Sequence, residues 1–460
     1  MPGDAVEGPL SEREIDRPDR GDPSERAVLR KVFRRLVPFL FLLYVANILD
    51  RNNISFARLT MLADLGLDES VYGWGATFCF YLGYLAFEVP SNLILHRVGA
   101  RLWIGRIMIT WGLVSTYTMF VRDARDFYIV RILLGVAEAG FFPGIVLYLS
   151  YWFPTRERAR AVACFMMASP LSSAFGGVVS GWLLDHADGA AGLKGWQWLF
   201  LIEGLPAVIL GIATWFYLTD RPAAAGWLSP DERDWLDQRM AREDRDRVAS
   251  HGLDRLQALG HPLMVLFILL YFTIALGTNS FGFYAPKILK GTFTGWSTQQ
   301  IGYLYLVPNL TTAIAMYLVG RHSDATGERR WHIAGCALIA AIGWWLSATV
   351  QSPWLALLAL TMASAGMISM IGLFWSLATS YLSGLGAVGG IALINTIANT
   401  GGAFSSPLMS SIKKTTGSFA AGQVLLGVVM LAGAGIALAI RHDHDRSAAV
   451  GTAFGSPLSD

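Results

Sequence analysis

The sequence predicts an all-α integral membrane protein, with 12 transmembrane helices in two six-helix bundles and a central cavity between them. Three observations lead there. Of 460 residues, 53% are hydrophobic and only 15% charged, and the mean hydropathy is +0.44, the balance of a polytopic membrane protein rather than a large soluble domain. Apolar stretches of spanning length recur along the chain, six on each side of a polar segment. Finally, Ser91-Asn-Leu-Ile-Leu-His-Arg-Val-Gly-Ala-Arg101 after the second stretch has a counterpart in Gly320-Arg-His-Ser-Asp-Ala-Thr-Gly-Glu-Arg-Arg330 after the eighth, about half the chain away. Equivalent loops imply duplicated bundles related by an axis along the membrane normal, with a site between them.

Residues 1–35 are charged and proline-containing, without the apolar core of a signal peptide, and read as a disordered cytoplasmic tail. The N-terminal bundle covers 36–218, with spans near 36–57, 73–95, 102–121, 127–151, 159–184 and 198–218. Segment 219–261 reads as a cytoplasmic linker; Ser229-Pro-Asp-Glu-Arg-Asp-Trp235 opens a surface helix with acids in its first turn. The C-terminal bundle covers 262–440, with spans near 262–287, 301–320, 333–350, 355–381, 386–412 and 419–440, and 441–460 is a second cytoplasmic tail. Arginines crowd the loops on one side: Arg30, Arg34 and Arg35 before the first span, Arg97 and Arg101 after the second, Arg156, Arg158 and Arg160 after the fourth, Arg329 and Arg330 after the eighth. That asymmetry places both termini in the cytoplasm of a cell (inner) membrane protein. The 36 basic and 34 acidic residues are scattered, so no nucleic-acid partner is expected. No metal-ligand cluster is legible, and Cys79, Cys164 and Cys336 read as packing residues.

The first span carries the least affordable residues. Leu36 to Leu49 is an apolar run, but 14 residues cover only about 21 Å of a hydrocarbon core roughly 30 Å thick. The helix spans only by continuing through Asp50 and Arg51, which puts an acid and a base at membrane depth, at about 2.5–3.5 kcal/mol each unless paired or wetted. A plainer alternative has Arg51 snorkelling to the interface with Asp50 as its local partner. In the fourth span Arg131, Gly135 and Glu138 fall on one face, and the glycine admits a close neighbour; a purely structural pairing of Arg131 and Glu138 is the alternative there.

Several stretches carry a family resemblance. The loop after span eight looks like the Gly-x-x-x-Asp-Arg-x-Gly-Arg-Arg loop of the major facilitator superfamily, and the loop after span two is a degenerate copy. Leu-Asp-Arg-Asn-Asn53, Arg131-Ile-Leu-Leu-Gly-Val-Ala-Glu-Ala-Gly-Phe-Phe-Pro143, Trp152-Phe-Pro-Thr-Arg-Glu-Arg-Ala-Arg-Ala161, Phe374-Trp-Ser376 and Asn395-Thr-Ile-Ala-Asn-Thr-Gly-Gly402 resemble the anion:cation symporters of that superfamily, which include tartrate, phthalate and sugar-acid permeases.

The resemblance implies a secondary active transporter, not an enzyme, that takes up a small organic anion by proton-coupled symport and alternating access. It would act as a monomer in the lipid bilayer, with no cofactor beyond the proton as coupling ion. It gathers Asp50, Arg51, Arg131 and Glu138 into one compartment. Arg51 and Arg131 are then substrate-binding, Arg51 holding the carboxylate two-pronged, and Asp50 and Glu138 are the proton-coupling acids. Tyr84, Trp375, Ser376, Asn395 and Asn399 complete the substrate contacts, while Arg97, Gly99, Asp324 and Gly327 form the gating loops. Ser169 stands where some sugar-acid members have glutamine. An exporter of the same superfamily and a non-transporting membrane sensor of the same fold are the rival readings.

Overall fold

The computed structural model describes residues 23–249, 262–381 and 384–440. In the first half run α1 (Pro23–Asp64), α2 (Glu69–Val98), α3 (Ala100–Tyr117), α4 (Ala124–Ser150), α5 (Arg160–His186) and α6 (Gly195–Tyr217). A linker helix, Pro230–Ala249, follows. The second half holds α7 (Pro262–Thr292), α8 (Thr298–Thr326), α9 (Arg330–Thr349), α10 (Pro353–Tyr381), α11 (Gly384–Thr416) and α12 (Ala420–Ala439). Among the described residues, ten helices are long and apolar enough to cross a membrane; α3 and α11 bring the set to twelve.

The first helix starts earlier than its apolar run suggests. Residues 23–35, read from sequence as tail, are the opening turns of α1, and Val28, Val32 and Leu36 are buried at helical spacing against the first bundle. The charged residues between them mask that stripe in a hydropathy average. The tail residues 1–22 and 441–460 and the linker residues 250–261 lie outside the described set.

Two helices depart from regular geometry. In α2, Trp74–Cys79 is a π-helical turn, which widens the ladder and frees carbonyls for other partners. In α4, the helix stops at Glu138 and restarts at Phe141. Gly140 makes that break at φ +85°, and a Cβ there would lie 2.4 Å from Ser91 Oγ, so glycine is required on both counts.

The halves meet at the end opposite the start of α1. There α5 and α8 touch backbone to backbone, a Cβ on Gly302 falling 2.2 Å from the Gly177 carbonyl, the close approach that small residues allow between membrane helices. Asp185 of α5 caps α8, accepting from the Thr298 and Gln299 amides at 3.2 and 2.6 Å. On the other flank Thr77 Oγ1 of α2 donates to the Ala403 carbonyl of α11 at 2.8 Å. One apolar cluster, with Phe56 and Tyr72 from the first half and Phe281, Tyr284 and Tyr305 from the second, fills the interface.

A charged knot closes the same end. Glu69 accepts from Arg58 and, at 2.9 Å, from Lys413 Nζ of the second half. The fully buried Arg58 is enclosed by the rings of Tyr72, Tyr284 and Phe419, at 4.4, 4.2 and 5.4 Å. The halves are therefore tied together firmly at this end by apolar packing and by charge.

Candidate functional site

Midway along the bundle Glu138, the last residue before the break in α4, meets Arg51 of α1. Its Oε1 accepts from Arg51 Nε at 2.6 Å and from Asn47 Nδ2 at 2.7 Å. Its Oε2 is buried without a partner. Glu138 is 1% exposed, whereas the Arg51 side chain is 32% exposed. The Arg51 guanidinium lies beside the rings of Phe80 and Tyr84, at 5.3 and 5.4 Å. Only its Nε is engaged by a described residue, so the two terminal nitrogens are left for something else. Tyr44, Asn47 and Arg51 stand at i, i+3 and i+7 on one face of α1.

The second half reaches this site from the other side. Tyr81 of α2 donates to Asn279 Oδ1 of α7 at 3.2 Å. One turn or more away on α7, Tyr271 stacks on Phe374 at 4.8 Å and meets Trp375 edge-on at 5.0 Å. A Cβ on Gly402 of α11 would touch both Asn279 Nδ2 and Tyr81 Oη, at 2.8 and 3.0 Å. Asn399 and Asn395 stand three and seven residues before it on the same helical face, with Asn399 Nδ2 donating to Asn395 Oδ1 at 3.1 Å. Ser376 neighbours Trp375 and is half-buried. A cationic fork among tyrosines thus stands in the first half and an indole and two amides in the second, with Tyr81 and Asn279 joining the halves between them.

The four charges lie within electrostatic reach of one another, but only Arg51 and Glu138 are in direct contact. Adjacent residues on a helix diverge by about 100°, and Asp50 accordingly points away from Arg51 into the first bundle. It accepts from Trp111 Nε1 at 2.7 Å, from Asn53 Nδ2 at 3.0 Å and from Ser115 Oγ. Three donors satisfy this carboxylate directly, with Arg131 near enough to act on it through space. Arg131 is also turned away. Its Nη2 donates to the Ala76 carbonyl at 2.6 Å and its Nε to that of Gly75 at 3.4 Å, both within the π-helical turn. Gly135 is pressed against α2, a Cβ there falling 2.0 Å from the Phe80 carbonyl, so its space serves a helix and not a ligand.

The gating loops are tied within their own halves. Gly99 turns the chain at φ +99°, the Arg101 amide donates to Asp220 Oδ1 at 2.8 Å, and Arg97 is exposed. Gly327 turns at φ +70°, and Asp324 pairs with Arg329 at 2.6 Å.

Sequence reasoning passed over Tyr44, Asn47, Tyr81, Tyr271 and Asn279. The helical spacing of Tyr44 and Asn47 with Arg51 was a usable signal; nothing comparable marks Tyr271 or Asn279.

Comparison with known proteins bears on this geometry. Residues 40–407 match the Major Facilitator Superfamily. A protein of Agrobacterium vitis named "Putative tartrate transporter" is 48% identical over 417 residues, covering 90% of this chain and 95% of that one. The "Putative metabolite transport protein NicT" of Pseudomonas putida is 42% identical, covering 89% and 94%. Among solved structures, a partially occluded inward-open form of the xylose transporter XylE from E. coli superposes with a TM-score of 0.71 at 16% identity, over 89% of this chain and 98% of that one, a likeness of fold. The chain belongs to the major facilitator superfamily and is a secondary transporter of a small organic substrate across a membrane.

Proposed function

We propose that the chain takes up a small organic anion together with a proton, a hydroxy-dicarboxylate such as tartrate being the first candidate, with sugar acids and aromatic carboxylates behind it. One observation carries the reading: Arg51 is one-third exposed, with two nitrogens unengaged by any described residue, while its third is held by a buried carboxylate whose other oxygen has no partner. A proton arriving on Glu138 Oε2 cancels the charge that holds Arg51, and the released fork accepts the substrate carboxylate. Tyr84, Trp375, Ser376, Asn395 and Asn399 then contact the rest of the substrate. Glu138 is the proton carrier in this scheme, and Asp50 and Arg131 hold α1, α2, α3 and α4 in register. The name carried by the relative at 48% identity supports the choice of an organic acid. Uptake by proteoliposomes of a panel of hydroxy-, sugar and aromatic acids tests it: an inward pH gradient should drive accumulation of one of these acids, and indifference of uptake to the gradient rules out the proton.

The arginine asymmetry of the loops supports cytoplasmic termini in the inner membrane. Asp237→Cys, on the exposed face of the linker helix, in a variant with Cys79, Cys164 and Cys336 replaced by serine, should be inaccessible to an impermeant thiol reagent in intact cells. Labelling without permeabilisation would invert the topology.

A further inference from the structure

Where α1 emerges from the bundle, its first turns form a cavity of about 470 Å³ with Tyr217 at the foot of α6 and Trp227 in the linker, inside the range of about 300–1,000 Å³ typical of ligand sites. Arg30, Lys31, Arg34 and Arg35 line it. Lys31 is neutralised by Glu232 at 2.7 Å, and that hydrogen bond holds the Glu232 carboxyl below the usual carboxylate range. No described carboxylate pairs with the three arginines. The Arg35 guanidinium lies against the faces of Tyr217 and Trp227, at 4.9 and 5.0 Å, and its Nε is buried without an acceptor. Three unpaired guanidinium groups around one cavity suit a phosphate ester, whose oxygens accept in pairs from each fork.

The surface above the cavity decides what kind of phosphate. Pro38 and Leu42 continue the helical face of Arg30 and Arg34 at four-residue steps, and both are exposed. On α6, whose Tyr217 meets α1, Ile209 and Phe216 are exposed as well, Phe216 by 83%. The exposed face of α1 thus passes from arginines to apolar residues as it enters the membrane. A soluble anion would use only the cavity; a phospholipid uses both.

We propose that this cavity binds the headgroup of an anionic phospholipid whose acyl chain lies along α1 and α6, tying the start of α1 to the linker. Retention of lipid by the purified full-length protein, followed by native mass spectrometry with phosphatidylglycerol, phosphatidylcholine and inorganic phosphate as probes, tests this. Phosphatidylglycerol should be held in preference to phosphatidylcholine. Arg30→Gln, Arg34→Gln and Arg35→Gln should each weaken its retention about fivefold, and the triple variant on the order of a hundredfold. Should the triple variant fail to fold, Arg34→Glu at its exposed position decides alone, since charge reversal there must cut retention. Equal retention of the two lipids, wild-type binding by a folded triple variant, or displacement of the lipid by inorganic phosphate each overturns the proposal, the last by making this a site for a soluble anion.

Discussion

Glu138→Gln should leave a protein that exchanges substrate between two filled compartments but no longer concentrates it. Glutamine keeps an oxygen for Arg51 and Asn47 but cannot take up or release a proton. With one proton per substrate, a pH difference of one unit supports about tenfold accumulation; in the variant the internal and external concentrations should simply equalise. Exchange persists because a neutral amide holds Arg51 only weakly, as the protonated carboxyl does. Removing the charge also unpairs a cation, and a fully buried pair loses about 3–5 kcal/mol when one partner is deleted. Arg51 is one-third exposed, so water takes up part of that cost and the variant should remain folded. Thermal unfolding in detergent must be measured alongside transport. A stable Glu138→Gln protein that still concentrates substrate on a pH gradient would move the proton to another group.

Arg51→Lys should lose about tenfold to a hundredfold in substrate affinity, the worth of one charge-assisted hydrogen bond. Lysine retains the charge but presents a point where the guanidinium presents a plane, and it cannot hold Glu138 with one nitrogen while offering two to a carboxylate. Arg131→Lys is the control. Its guanidinium holds two carbonyls of the π-helical turn, so that substitution should lower the unfolding temperature and leave affinity in the folded fraction near normal. Calorimetric or equilibrium binding on the two variants separates the roles. Wild-type affinity in Arg51→Lys combined with lost affinity in stable Arg131→Lys would relocate the anion site.

Much of this architecture is legible in the sequence because the bilayer punishes exceptions. A charge inside a span stands out against its neighbours, and Arg51 and Glu138 were visible for that reason. What the sequence does not disclose is direction. Asp50 adjoins Arg51, yet the helix turns it toward Trp111 and Ser115, donors that lie more than sixty residues away. Arg131 and Glu138 share a face, yet an irregular turn in α2 captures the first; that turn is hidden in Trp-Gly-Ala-Thr-Phe-Cys79, which reads as ordinary apolar helix. The knot at the closed end escaped for another reason. Arg58, Glu69 and Lys413 each sit near a span end, where a charge normally needs no partner, and only the meeting of the two halves reveals that they find one another.

The Arg58 knot has a bearing on how firmly the halves hold together at its end. Its guanidinium is enclosed by three rings, and two of its nitrogens, Nε and Nη1, have no acceptor. A dry cation is costly, and ring faces return only part of its lost hydration. When the halves part at this end, water reaches Arg58, Glu69 and Lys413 together and refunds that cost, opposing the loss of apolar contact. The buried cation thereby weakens the closed arrangement at this end, so the apolar packing around it outweighs the knot's own dehydration by only a part of its full worth.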